Sequence, residues 1–182
     1  MKNAIIIHGT ANKSTDFWFP YIKKKLEKKS YEVWVPQMPN SETPSLKDWL
    51  SFTLESGEFS EDTILIGHSA GAQLILSILE KLQDPIKQAI LVSGYAKALR
   101  GTPSAEKNTD DFDWKSIRGK AKQFIFINSD NDPWTCDDKQ GRIMLDRLGG
   151  IQVILHGEGH MGSTFYNQPY KEFPLLAKLL DL

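Results

Sequence analysis

Apolar residues recur in two rhythms along this chain. Six short runs, at 4–7, 32–35, 63–66, 88–92, 123–128 and Ile151–Leu155, are rich in Ile, Val, Leu and Phe. Most are continuous rather than alternating, the pattern of strands buried on both faces of a parallel sheet. Between them lie segments with helical period. The spacing predicts helices over 19–29 (Phe19, Ile22, Leu26), 46–54 (Leu46, Trp49, Leu50, Leu54) and 70–82, where one broad face is apolar. Two more follow over 137–148 (Ile143, Met144, Leu145, Leu148) and 170–182 (Phe173, Leu176, Leu179, Leu180). Pro20 fits only the first turn of its helix, where a missing N–H costs nothing.

Strands alternating with helices imply an α/β fold, a parallel sheet with right-handed crossovers and helices on both sides. No repeat, linker or low-complexity tract interrupts the 182 residues, so one domain over 1–182 is expected. The longest polar stretch, 96–113, is too short for a second domain and reads as a loop or small flap near the site.

Composition narrows the function classes. A net charge of −1 offers no field to attract nucleic acid. Lys23, Lys24, Lys25, Lys28 and Lys29 are interleaved with Ile22 and Leu26 at helical spacing, which makes them a solvated helix face. The apolar run at the N-terminus is too short for a signal peptide or a spanning helix and reads as a first strand. Cys136 is the sole cysteine, so no intrachain disulfide forms, and a reducing, cytoplasmic setting is expected. No Cys/His cluster has metal-ligand spacing, and neither metal nor cofactor is expected.

The strongest chemical signal is Gly67-His68-Ser69-Ala70-Gly71, placed between an apolar strand and an apolar helix. This G-x-S-x-G pattern sets a serine on a strained turn, with glycines small enough for backbone to pass closely. The hydroxyl then stands at a helix N-terminus, whose partial positive charge favours a developing oxyanion.

A nucleophilic serine needs a base, and the base an orienting acid. Of the four histidines, His68 lies inside the elbow, His156 ends the last strand and His8 ends the first. His160 sits in the loop Gly157-Glu158-Gly159-His160, just past the last strand, where ligands meet at the C-terminal edge of open α/β sheets. The acid is expected after the preceding strand, where Ser129-Asp130-Asn131-Asp132-Pro133 offers Asp130 and Asp132. The order Ser, Asp, His is that of α/β hydrolases. Backbone N–H groups of Thr10, in the His8-Gly9-Thr10 turn, and of Ala70 are the expected oxyanion donors.

With these motifs in place, the chain resembles the small serine hydrolases related to retinoblastoma-binding protein nine, nearly end to end. The matching features include Ile5-Ile6-Ile7-His8-Gly9-Thr10, the turn around Trp18, Pro36-Gln37-Met38-Pro39 and the later Trp49. They continue through Ile66-Gly67-His68-Ser69-Ala70-Gly71-Ala72, Leu91-Val92-Ser93-Gly94-Tyr95, Asp113-Trp114, Asp132-Pro133 and Gly157-Glu158-Gly159-His160. The resemblance implies a three-layer α/β/α sandwich, a minimal α/β-hydrolase fold whose six parallel strands run 2-1-3-4-5-6, without the large lid of lipases. It also implies that the acid is the aspartate before proline, Asp132. Two departures stand out: some relatives have Pro-Gly where this chain has His-Gly-Thr, and 96–113 matches poorly.

The expected chemistry is acyl transfer to water on a small ester, thioester or amide. Phe17, Trp18, Trp134, Met161 and Phe165 flank the motif loops and are the candidate pocket lining. The expected partner is a small-molecule acyl substrate, with neither nucleic acid nor membrane involved. A non-catalytic interaction module on the same fold is the alternative. Nucleotide binding is disfavoured, because Asn12 and Ile7 replace both glycines that a P-loop ending in Lys13-Ser14 would need.

Overall fold

The computed structural model describes residues 2–99 and 107–181. Six parallel strands form one sheet in the order β2-β1-β3-β4-β5-β6. They are β1 (Asn3–Ile7), β2 (Glu32–Trp34), β3 (Ile64–His68), β4 (Ile86–Val92), β5 (Ala121–Ser129) and β6 (Ile151–Leu155). The helices are α1 (Phe19–Glu27), α2 (Leu46–Ser56), α3 (Ala70–Lys81), α4 (Trp114–Arg118), α5 (Asp138–Leu148) and α6 (Pro174–Leu179). Among the described residues no helix is long and apolar enough to cross a membrane.

The continuous apolar runs have a direct physical reading. Successive strand residues point to opposite faces, and over β1, β3, β4 and β5 both faces are covered, whereas the edge strand β6 leaves Ile151 and Ile154 exposed. Ile5, Ile7, Leu65, Leu91 and Phe126 join one buried cluster with Trp49 of α2, Leu74 and Ile75 of α3, Ile117 of α4 and Met144 of α5. Their neighbours Ala4, Ile6, Ile66, Val92 and Ile127 join a second cluster with Ile22 and Leu26 of α1 and Leu176 of α6. Each such Ile or Leu, fully buried, contributes about 1.5–3 kcal/mol. The order thus carries three layers.

Three elements differ from the sequence expectation. The last helix spans Pro174–Leu179 rather than starting near 170. Pro174 bars its predecessor from helical backbone, and Phe173 sits at φ −139° and ψ 75°. Among the described residues of 96–113, a 3₁₀ turn at Thr109–Asp111 is closed by a reciprocal Asn108–Asp111 capping box. Behind it α4 follows, capped by Asp113 accepting from Ser116 N–H. The remainder of the expected flap, 100–106, lies outside the described residues.

The strand order reverses between β1 and β3: β1 leads leftward to β2, whereas β3 leads rightward to β4. Connections leaving the C-terminal ends of β1 and β3 therefore diverge to opposite faces and open a crevice. The turn after β1 carries Thr10 and the turn after β3 carries Ser69.

Candidate active site

Ser69 occupies a conformation that L-residues rarely adopt, φ 55° and ψ −120°, between β3 and α3. Such backbone costs of order 1–3 kcal/mol and persists only where the surroundings enforce it. The enforcement is visible. The Ser69 N–H donates to Val92 O on β4 at 3.0 Å, and its carbonyl accepts from Ala72 N–H at 2.9 Å. A Cβ on Gly71 would lie 2.4 Å from Ile7 O and 2.7 Å from His8 O, so only glycine lets α3 pass this close to β1. A Cβ on Gly67 would meet the Ala72 amide nitrogen at 2.6 Å. Both motif glycines are therefore steric requirements of the turn.

His160 follows β6 and meets Asp132, which follows β5. Its Nδ1 lies 2.7 Å from Asp132 Oδ2. A carboxylate accepts, so Nδ1–H donates, and Nε2 is the unprotonated nitrogen of the neutral ring. Both side chains are almost wholly buried. The other carboxylate oxygen, Asp132 Oδ1, accepts from Trp134 N–H at 2.8 Å, which fixes the turn.

The backbone at His160 is held from three sides. Its carbonyl accepts from His68 Nε2–H at 2.9 Å and from Ser93 Oγ–H at 2.9 Å. Its N–H donates to Gln168 Oε1 at 3.0 Å. Burial, and secondarily the nearby His160 ring, push the His68 pKa down to about 3, so His68 is neutral and keeps this donor on Nε2.

Asp130, the other acid the sequence offered, does a different job. Its Oδ2 bonds His156 Nδ1 at 2.6 Å and its Oδ1 accepts from Gly157 N–H at 2.9 Å. The Gly157 amide, and after it His156, hold its carboxyl below the usual carboxylate range. The pair is exposed and ties the start of the loop after β6 to the end of β5.

The turn after β1 is braced through His8. Its Nε2 accepts from Met38 N–H at 3.0 Å, which leaves Nδ1–H to donate to Gly9 O at 2.8 Å. Gln37 adds a bond from Nε2 to Asn12 O at 3.2 Å, and Ala11 N–H donates to Ser41 O at 2.7 Å. Thr10 is thereby held opposite Ser69, while Ala70 starts α3 with an amide in the helix's first turn.

Ser69, His160 and Thr10 line one cavity of about 300 Å³, together with Asn12, Tyr95, Leu99, Trp134 and Phe165. The structure places two of the five pocket candidates, Trp134 and Phe165, on its wall. Phe17, Trp18 and Met161 are not there: they are core residues, at most 5% exposed. Phe17 and Trp18 pack edge-on to the His68 ring, each with centroids 6.0 Å away, and Trp18 Nε1–H donates to Met161 O at 3.0 Å. They support the floor under the histidine loop. Asn12 and Tyr95 are lining residues that the sequence reading missed. Tyr95 was signalled by its position just past the C-terminal end of β4, at the sheet edge where ligands gather.

A metal could be held here only at a cost. The ligating atoms of Asp132, Cys136 and His160 lie within 4.8 Å of one another. Yet His160 Nδ1 and Asp132 Oδ2 bond each other, so a cation would have to displace that hydrogen bond.

Comparison with known proteins agrees with this architecture. The Serine hydrolase family matches residues 4–181, nearly the whole chain. The chain belongs to the serine hydrolase family. Among curated relatives, hydrolase YdeN of Bacillus subtilis is 38% identical over 186 residues, covering 98% of this chain and 94% of that protein. Serine hydrolase RBBP9 of Rattus norvegicus is 26% identical over 170 residues, covering 91% and 90% respectively. The crystal structure of the B. subtilis ydeN gene product superposes with a TM-score of 0.86 at 28% identity, covering 100% of this chain and 97% of that one. Membership of the serine hydrolases accords with a strained serine, a buried Asp–His pair and a shared cavity.

Proposed function

We propose that this serine hydrolase cleaves a small ester, thioester or amide through an acyl-enzyme on Ser69. The observation that carries the reading is the 2.7 Å bond between His160 Nδ1 and Asp132 Oδ2, beside a cavity that Ser69 and His160 both line. Asp132 sets the tautomer, so His160 Nε2 receives the Ser69 proton as Oγ attacks the carbonyl carbon. Asp132 then stabilises the imidazolium, and the N–H groups of Thr10 and Ala70 hold the oxyanion. The leaving group takes the proton from Nε2, and water, activated by the same nitrogen, releases the acid. Apart from the substrate and water, every group used in these steps is a residue of this chain.

Stopped-flow hydrolysis of 4-nitrophenyl acetate tests it. A burst of nitrophenolate stoichiometric with enzyme, absent in Ser69→Ala, is the expected result. Turnover without a burst that survives in Ser69→Ala would show hydrolysis by another route.

A further inference from the structure

We propose that the site takes substrates whose leaving group carries an aromatic ring, stacked on a platform formed by Trp134, Phe165 and Tyr166; this rests on the acyl-transfer reading of the same site. The three rings stand in the open: Phe165 is 78% exposed, and Trp134 and Tyr166 are each 42% exposed. They also touch one another, with centroids 5.5 Å apart for Trp134–Phe165, 5.3 Å for Trp134–Tyr166 and 4.9 Å for Phe165–Tyr166. Isolated exposed aromatics are ordinary, but three in mutual contact form an exposed apolar patch of the kind that marks a binding site. The occupant is identified by continuity with the cavity, because Trp134 and Phe165 line the same space as Ser69 and His160.

The platform is rigidly tied to the proposed catalytic groups. Trp134 N–H donates to the same Asp132 carboxylate that holds His160. Phe165 and Tyr166 ride a turn closed by the antiparallel bridge Ser163–Gln168, with Gln168 N–H donating to Ser163 O at 2.8 Å. Gln168 Oε1 in turn accepts from His160 N–H. Both halves of the platform are thus extensions of the loops that carry Asp132 and His160. In acyl transfer, the histidine hands its proton to the leaving atom, so the leaving group lies on the histidine side of the reacting carbon and the oxyanion donors on another. A ring on the alcohol part therefore meets the platform, and face or edge stacking there holds it in position.

For such an ester, the Ser69 Oγ–acyl bond forms as the acyl–oxygen bond to the arylmethyl alcohol breaks. The serine proton passes through His160 Nε2 to that alcohol oxygen, and water later hydrolyses the acyl-enzyme.

Benzyl acetate and cyclohexylmethyl acetate isolate this contact, because both yield the same acetyl-enzyme and differ only in the leaving alcohol's ring. After division by the ratio of their hydroxide-catalysed rates, kcat/KM is expected to favour the benzyl ester by about 3- to 10-fold in wild type. In Phe165→Leu and in Trp134→Leu, the ratio falls toward one. Benzyl alcohol should also protect Ser69 from a fluorophosphonate at lower concentration than cyclohexylmethanol. A wild-type ratio near one with equal protection by both alcohols overturns the platform, as does a preference that neither substitution moves. Failure of both esters and of labelling would instead overturn the underlying hydrolase reading, and this proposal with it.

Discussion

His68 donates its Nε2–H to the backbone carbonyl of His160 at 2.9 Å, and the two rings lie 4.8 Å apart. The residue immediately before Ser69 thus holds the loop that brings His160 to it. The proposed nucleophile and base are thereby linked directly, alongside the bonds from Ser93 and Gln168 that also hold the His160 backbone.

Replacing His68 tests that link. His68→Phe keeps a buried ring but removes the donor, and it is expected to lower kcat by about 10- to 100-fold, the scale for misplacement of a catalytic group by roughly 1 Å. Fluorescence and circular dichroism would report the fold, while kcat and KM measured together would place the loss in kcat. Wild-type kcat in a folded His68→Phe protein would contradict the positioning role.

His68 also predicts acid sensitivity of the fold. Its pKa is lowered from an ordinary 6.5 to about 3, chiefly by burial. Above 6.5 both folded and unfolded forms hold it neutral, and it imposes no pH dependence. As pH falls from 6.5 toward 3, the unfolded chain takes up a proton that the folded chain refuses, so stability falls by up to about 1.4 kcal/mol per pH unit. Denaturant midpoints at pH 7 and pH 5 are expected to drop less in His68→Gln than in wild type. His8, whose pKa is lowered mainly by burial, contributes in the same direction and remains in both proteins.

The two aspartates separate cleanly. Asp132→Asn disrupts the acceptor that fixes the His160 tautomer, and if Asp132 acts as proposed kcat is expected to fall about 10⁴-fold, as for the corresponding change in a serine-protease triad. Asp130→Asn touches only the exposed contacts with His156 and the Gly157 N–H, so turnover should stay within about 3-fold of wild type, surface pairs being weak. The reverse ranking would reassign the acid.

Gly71→Ala presses a methyl group against the carbonyls of Ile7 and His8, at 2.4 and 2.7 Å before relaxation. Because the obstacles are backbone, a loss of about 1–3 kcal/mol is expected in urea denaturation. Activity should fall further than stability, since the shift displaces α3 and with it the Ser69 turn. A stability equal to wild type would mean that β1 and α3 yield freely.

Chelation is expected to leave turnover unchanged, because His160 Nδ1 and Asp132 Oδ2 engage each other. Loss of activity on dialysis against EDTA, regained with zinc, would contradict this and point to the Asp132, Cys136 and His160 set.

The fold was legible because its two signals are physically independent. Strands buried on both faces read as unbroken apolar runs, whereas helices with one wet face read at period 3.6. Ser69 and its glycines were legible because the elbow's sterics tolerate few alternatives. The proposed acid is not separable by local chemistry, since Asp130 and Asp132 share a turn, and the fold sends one inward and the other outward. Phe17, Trp18 and Met161 misled for a related reason. Proximity to a motif loop in sequence does not say which side of the loop a side chain takes, and all three turn into the core, Phe17 and Trp18 against the His68 ring. The helix α4 is not legible in the sequence, because five residues carry less than two turns of periodicity.

The most direct measurement is intact-mass and peptide mapping after reaction with a fluorophosphonate, on wild type and on Ser69→Ala. The expected result is one adduct per chain, located on Ser69, and none in the folded Ser69→Ala protein. A folded wild type that takes no label, or an adduct that persists in Ser69→Ala, would contradict an activated nucleophile at Ser69.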